Sequence, residues 1–314
     1  MAVLKSNQQS EAFINALFRS FLAANPSPEA AENCKKFLDA DPEEAPIKLV
    51  ELFGQSPEFK KRFENFYFTA VQDLDRDHQF EFSSITDEQI KSLWDKTNFF
   101  WLETFEQSST PAPTTTAAQG ETELALLVDL CSRVGWDFSG CQSILDFGCG
   151  NGAACQKVPN HIDLHIMEYR KKFLAQAEST LQEAGNNHFR AHLISDLNQL
   201  DDLPNQFDIA YSRNFMVHHT PPVIERLISK LFDRVRQHGL AIIHLPIAKG
   251  NYRFAIDDYL GSEQTGQRLE RHILPKELIH NLAKAHHFQI LFSAAKGGCG
   301  QDLYSEMIVF QKME

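Results

Sequence analysis

Along the first hundred residues, apolar positions recur at helical spacing, and after residue 120 they give way to short apolar runs alternating with amphipathic stretches. Phe13, Leu17, Phe18 and Phe21 mark a first helical stretch, broken by Asn25-Pro26-Ser27-Pro28. Ser27, Pro28 and Glu29 have the form of a helix start, with Pro at the first helical position and an acid in the first turn. A second helix is therefore expected over 28–39, ending at Asp41-Pro42. A third is expected from Pro46 to Phe53, and Ser56-Pro57-Glu58 opens a fourth that carries Phe59, Phe63 and Phe66. A fifth, over 85–105, has Thr86 and Glu88–Gln89 near its start and a dense aromatic set: Trp94, Phe99, Phe100, Trp101 and Phe105.

The phenylalanines at 13, 18, 21, 37, 53, 59, 63, 66 and 68 read as the core of a small all-helical domain. Asp73-Leu74-Asp75-Arg76-Asp77 imitates the opening of an EF-hand loop, but His78 stands where that loop needs Gly and Ser84 where it needs Glu. It reads as a solvated acidic turn. The stretch 108–120, rich in Ser, Thr, Pro and Ala, reads as a linker, which gives a helical domain over 1–107 and a second domain over 121–314.

The second domain opens with an amphipathic helix from Glu121 to Trp136, its apolar side formed by Leu124, Leu127, Val128, Leu130 and Cys131. Strands are expected at Ile144–Leu145, 162–168, His188–Ile194, 207–212, 239–245, 288–294 and 304–311. Helices are expected at 153–158, 170–184, 221–237 and 275–286. This alternation predicts a doubly wound α/β fold.

The chemistry concentrates in Ser143 to Gly152, SILDFGCGNG. A short buried strand ends in Asp146, and glycines at 148, 150 and 152 form a tight turn where a Cβ would hold the backbone away from a ligand. Gly148 to Ala153 fits the dinucleotide pattern GxGxx(G/A) only loosely. The fuller pattern, apolar-apolar-Asp-x-Gly-x-Gly-x-Gly, resembles the first motif of class I S-adenosylmethionine-dependent methyltransferases. An acid before the turn repels a pyrophosphate and suits the cationic amino group of a methionine moiety.

Three more stations follow in the order this family shows. Glu168 ends the second strand, about 20 residues past the turn, where a carboxylate accepts from both ribose hydroxyls. Asp196 ends the third strand, and Phe207 to Pro222 resembles the fourth-strand motif. The resemblance covers residues 121–314 and implies a seven-stranded, mostly parallel sheet with a C-terminal antiparallel strand. It also implies S-adenosylmethionine as cofactor. The implied cofactor site is Asp146, Gly148, Cys149, Gly150 and Gly152, with Glu168, Tyr169, Asp196, Leu197 and Asn214. His218 or His219 is the expected proton acceptor, since His titrates near neutral pH. The stretch 246–274 follows the fifth strand, where this family builds its substrate lid, so Tyr252, Arg253 and Tyr259 are the expected acceptor contacts. By the same resemblance Trp94 or Trp101 reaches the substrate pocket; core packing is the other role open to them.

Composition narrows the partners. The net charge is −12 and there is no Lys/Arg-rich run, which argues against nucleic acid and anionic membrane. A small-molecule or glycan-type acceptor is expected. The six cysteines at 34, 131, 141, 149, 155 and 299 lack framework spacing and read as reduced thiols of a cytoplasmic protein. No metal is expected. Two other readings stand beside methyl transfer: an NAD(P)-dependent oxidoreductase, and a non-catalytic scaffold whose phenylalanine-rich domain mediates protein contacts or dimerisation.

Overall fold

The computed structural model describes residues 10, 13–15, 18, 26–40, 45, 48–49, 53, 79–81, 85–101, 117–204, 206–249, 252–262, 271–295 and 303–313. Two compact units divide between Arg76 and Asp77, earlier than the Ser/Thr/Pro-rich stretch where the composition changes. In the first unit, helix α1 (Pro28–Ala40) begins as its residues dictate: Ser27 Oγ accepts from the Ala30 amide at 3.2 Å. Ile14, Leu38, Ala45 and Leu49 form its core, with Phe13, Phe18 and Phe53 packed against them. Phe37, expected in that core, is exposed, because it precedes buried Leu38 by one position and so lies about 100° round α1 from it. Phe21, Phe59, Phe63, Phe66, Phe68 and the EF-hand-like stretch from Asp73 lie outside the described residues, apart from the backbone of 79–81.

The second unit runs, after a short strand β1 (Gln79–Glu81), through α2 (Asp87–Trp101), α3 (Ala117–Arg133), β2 (Ser143–Phe147), β3 (Asp163–Glu168), α4 (Lys171–Glu183) and β4 (Phe189–Leu193). It continues through β5 (Phe207–Ser212), α5 (Pro221–Arg234), β6 (Val235–Lys249), β7 (Arg253–Ala255), α6 (Ile256–Gly261), α7 (Lys276–Ala285), β8 (Phe288–Ala295) and β9 (Leu303–Lys312). Seven strands form one sheet in the order β4-β3-β2-β5-β6-β9-β8. All neighbours are parallel except β9, which runs antiparallel to both β6 and β8. The closing hairpin is thus where the sequence put it, and β9 inserts between β6 and β8.

Each face of the sheet carries its own core. Leu127, Leu130 and Cys131 of α3 and Leu174, Ala177 and Leu181 of α4 cover one face. Ile90, Leu93 and Trp94 of α2, together with α5 and α7, cover the other. Burying the strands on both faces explains their near-continuous apolar sequences. Val128, expected on the apolar side of α3, is exposed. That helix also starts at Ala117, four residues inside the expected linker, and Gly120 within it packs against the Gln156 side chain where a Cβ would collide.

Two expectations fail locally. Residues 151–157 form successive turns rather than a helix, joined by Cys155 N–Gly152 O (3.2 Å) and Val158 N–Cys155 O (3.1 Å) contacts. Six residues before Pro159 are too few to offset the cost of helix nucleation. No helix N-terminus therefore follows the glycine turn. The helix expected to reach 237 stops at Arg234, because Val235 already pairs with Phe207 in the sheet. Tertiary pairing overrides local propensity there.

Asp208, at the start of β5, lies at the edge of the sheet opposite the strand ends that carry Asp146 and Glu168. Its buried carboxylate accepts from the amides of Gln142 (2.6 Å) and Ser143 (2.9 Å) and pairs with Arg236. Asp208→Ala is expected to lower stability by about 1–3 kcal/mol, since it takes the acceptor from two part-buried amides and from a half-exposed guanidinium. Ligand binding at the far end of the sheet should stay as it was; urea melts and ligand titration on the same variant check both halves.

Candidate active site

Strand order reverses at β2, flanked by β3 and β5, and the crevice beyond the carboxyl ends of these strands is where open α/β sheets take ligands. The glycine turn lies at this point. Gly148, Gly150 and Gly152 have φ of 75°, 57° and 82°, a region that L side chains rarely adopt. The three do different work. A Cβ at 148 would fall inside the Phe215 ring, and one at 152 would stand 3.0 Å from the Ala177 Cα of α4. At Gly150 nothing lies within 4 Å, so the backbone is bare toward the crevice. The packing of Gly152 against α4 does what the missing helix does not: it anchors the turn.

Two buried carboxylates face this turn. Asp146 accepts from the Cys155 thiol at 3.1 Å and has no cationic partner among the described residues. Burial pushes its carboxyl up to about 7, with the nearby Glu168 charge adding to the shift and the Cys155 contact opposing it. Burial likewise holds the Cys149 and Cys155 thiols well above their ordinary range, so both are neutral packing groups rather than nucleophiles.

Glu168 is 0% exposed and fully engaged. Its Oε1 accepts from the Tyr169 amide (2.9 Å), the Arg170 amide (3.2 Å) and Arg170 Nε (2.9 Å). Its Oε2 accepts from Arg170 Nη2 (2.7 Å) and the Gly150 amide (3.1 Å). The bidentate fork from Arg170 escapes notice in the sequence, although a basic residue two positions after a strand-end acid is the signal for it. Arg170 also lies over the Phe173 ring, 4.0 Å from its centroid.

At the third strand end, Asp196 caps the 3₁₀ turn Leu197–Asp202. It accepts from the Asn198 amide at 2.8 Å while Gln199 reaches back to the Asp196 amide, a reciprocal cap. Asp196 and buried Leu197 also line a cleft of about 190 Å³ together with Asp87, Lys91, Trp94 and Arg226. Asn214, after β5, is exposed with φ of 59°, and its amide donates to His244 Nδ1 at 3.3 Å.

The two histidines expected as alternatives occupy different surroundings. His218 is half-buried. His219 is 1% exposed, stacked on Trp94 (centroids 5.1 Å apart, planes 10° apart) and walled by Phe215 (4.7 Å) and Tyr169 (6.1 Å). Burial first, then the neighbouring His218, His272 and Arg170, push its imidazole down to about 3, so it stays neutral. Its Nδ1 has no hydrogen-bond partner among the described residues. Of the expected acceptor contacts, Tyr252 and Tyr259 are buried and gather around His272, which shares a 2.7 Å hydrogen bond with the Tyr252 hydroxyl. Arg253 is exposed on β7, which pairs with β1 in a separate two-stranded parallel sheet. The side chain of Trp101 lies outside the described residues.

Taken together, the strand order with its antiparallel β9, the glycine turn and the acids ending β2 and β3 make up the Rossmann-like fold that class I S-adenosylmethionine-dependent methyltransferases have. Residues 144–239 match the family model described as a methyltransferase domain. Curated protein sequences give no match. Among solved structures, a magnesium protoporphyrin IX methyltransferase from Synechocystis, with S-adenosylhomocysteine bound, has 13% identity and TM-score 0.46, covering 72% of this chain and 100% of its own. The N-methyltransferase NodS from Bradyrhizobium japonicum has 15% identity and TM-score 0.45, covering 62% and 87%. A Burkholderia thailandensis 1,6-didemethyltoxoflavin-N1-methyltransferase has 15% identity and TM-score 0.45, covering 74% and 93%.

The cofactor of this class is S-adenosylmethionine, and the residues present fit it. The bare backbone at Gly150 admits close approach, Asp146 offers a carboxylate with no cationic partner among the described residues, and Glu168 is a buried carboxylate at the end of the neighbouring strand. Among the described residues, no helix is long and apolar enough to cross a membrane.

Proposed function

We propose that this chain transfers a methyl group from S-adenosylmethionine to a small-molecule or glycan-type acceptor, at oxygen or nitrogen. The observation that carries the reading is the pair of buried carboxylates, Asp146 and Glu168, beside a glycine turn at the reversal point of the sheet. The sulfonium supplies an electrophilic methyl group. Asp146 would hold the ammonium group of the methionine end, and Glu168 would accept from the sugar hydroxyls in place of the Arg170 fork. Asp196 and Leu197 meet the base.

What the protein adds to the chemistry is alignment, which converts a bimolecular encounter into near-attack geometry. Where the acceptor is a hydroxyl or a protonated amine, a base must take its proton. Half-buried His218 has that role, because His219 is held neutral by its ring cage and resists protonation. His219 instead shapes the wall. The buried pair Tyr252 and Tyr259 forms the base of the acceptor lid, and Arg253 stands at its rim.

Isothermal titration with S-adenosylhomocysteine tests the reading: binding in the micromolar range is expected, and silence at millimolar ligand sinks it. An oxidoreductase predicts instead that NADH binds with a fluorescence change. An acid at position 146, where a pyrophosphate would lie, supports the sulfonium over that dinucleotide.

A further inference from the structure

On the side of the glycine turn that α3 covers, the described residues leave several buried polar atoms unmatched. Asp146 stands beside Tyr211 of β5 in the sheet register, and both side chains lie on the face packed by α3 and α4. The Tyr211 hydroxyl is buried and has no hydrogen-bond partner among the described residues. Burial, and after it the Asp146 charge, keep that hydroxyl protonated, so it stands as a donor. Gln156 Oε1, close against Gly120 of α3, is a buried acceptor in the same condition.

Arg213 follows β5 directly, about 7 Å beyond Tyr211 along the chain, and reaches α3, where its Nη1 pairs with Glu123. The two side chains are 24% and 16% exposed, so the pair is largely out of water. Glu123 leaves the guanidinium Nε buried and without a hydrogen-bond partner among the described residues. An ion pair built only to fasten α3 to the sheet would use that nitrogen, because an orphaned buried donor costs stability. A guanidinium receives a carboxylate best through two parallel N–H groups, and Glu123 takes one.

What these atoms complement is an α-amino acid. Asp146, with no cationic partner among the described residues, suits its ammonium group, and Arg213 with the Tyr211 hydroxyl suits its carboxylate. We infer that Arg213, helped by Tyr211, is the receptor for an α-amino-acid carboxylate, and that Glu123 is a competitor for that place carried by the chain itself. The inference rests on the methyltransferase reading for the source of the amino acid, the methionine end of S-adenosylmethionine; a free amino acid presents the same two groups. Binding exchanges one carboxylate for another at Arg213, so the hold of the chain on its own Glu123 subtracts from the affinity it shows.

Calorimetry on the full chain compares S-adenosylmethionine with its decarboxylated form, which keeps the nucleoside, the sulfonium and the amine and lacks only the carboxylate. The parent chain is expected to bind the decarboxylated form roughly 10-fold or more weakly. Glu123→Gln is expected to bind S-adenosylmethionine roughly 5-fold more tightly and the decarboxylated form as before, while its thermal midpoint falls. Arg213→Gln is expected to lose roughly 10-fold toward S-adenosylmethionine alone, and adding Glu123→Gln to it restores nothing. L-Methionine separates the two sources. Binding as tight as that of S-adenosylmethionine would make a free amino acid the occupant of the same carboxylate receptor, and binding weaker by roughly 100-fold or more makes it the cofactor.

Equal affinity of the parent chain for the two sulfonium forms overturns the inference, whether or not the variants fold. So does a Glu123→Gln chain that loses affinity along with stability, the mark of a pair that only fastens α3. Silence of the parent chain toward S-adenosylmethionine and its decarboxylated form alike is a different result, because it removes the methyltransferase reading and the inference with it.

Discussion

Glu168→Gln is expected to bind S-adenosylhomocysteine about 100-fold more weakly than the parent chain. A ribose offers two hydroxyl donors, and each hydrogen bond to a buried carboxylate is worth about 1.5–3 kcal/mol more than to water, an amide less. The substitution has a second effect that must be separated from the first. Glu168 is the charge partner of Arg170, itself only 13% exposed, so the variant leaves a largely buried guanidinium uncompensated. Breaking such a pair costs about 3–5 kcal/mol, and the single variant will be less stable.

The double variant Glu168→Gln/Arg170→Gln resolves the two effects. It removes both charges, so much of the stability is expected to return while the affinity does not. Chemical denaturation reports the first and calorimetry the second. Affinity that recovered along with stability would mean that Glu168 only holds the fold. Arg170→Gln alone gives the complementary result. With the fork removed, Glu168 still accepts from three amides but has no guanidinium to give up to the ribose, and affinity is expected to rise a few-fold.

The second large effect is a pH dependence of binding governed by Asp146. An aspartate titrates near 3.8 in an unfolded chain, and in this site burial raises it to about 7. The groups around it do not compete in that range. Cys149, Cys155 and the Tyr211 hydroxyl are all held high by burial. Between about pH 4 and pH 7 the folded chain therefore holds a proton that the unfolded chain has released. Stability falls as pH rises through this window, by up to about 1.4 kcal/mol per unit, and levels off above it.

Binding runs the other way. The ammonium of the ligand favours the carboxylate, so affinity is expected to rise up to about 10-fold per unit as pH approaches 7 and to flatten beyond. About one proton should leave per ligand bound at pH 6, and almost none at pH 8. Calorimetry in buffers of different ionisation enthalpy measures that number directly. Asp146→Asn should bind weakly at every pH, with no proton release and no slope in stability. A slope that persisted in this variant would assign the titration to another group.

How much of this was legible beforehand depends on the range of the interactions involved. The strands and long helices of the second unit were readable to within a few residues, because burial on both faces writes itself into continuous apolar runs and helix faces into a 3.6-residue period. The start of α1 at Pro28 and that of α2 at Asp87 followed from their caps, which involve only neighbours in sequence. The glycine turn was readable for the same reason: positive φ is a property of single residues, and all three glycines have it.

Long-range geometry decided the rest. Whether 151–157 coils or turns depended on Gly152 meeting Ala177, and whether α5 stopped at Arg234 depended on Phe207 pairing with Val235. That His219 is held neutral depended on rings contributed by Trp94, Tyr169 and Phe215, from three separate segments. The sequence by itself determined the strand-and-helix succession and the four stations in order, since spacing along the chain is all these require. Only the tertiary structure decided that Arg170 guards Glu168, that His219 is neutral and that α2 lies against the site. A desolvated charge or a stacked ring gets its energy from neighbours up to a hundred or more residues away, and no local pattern encodes them.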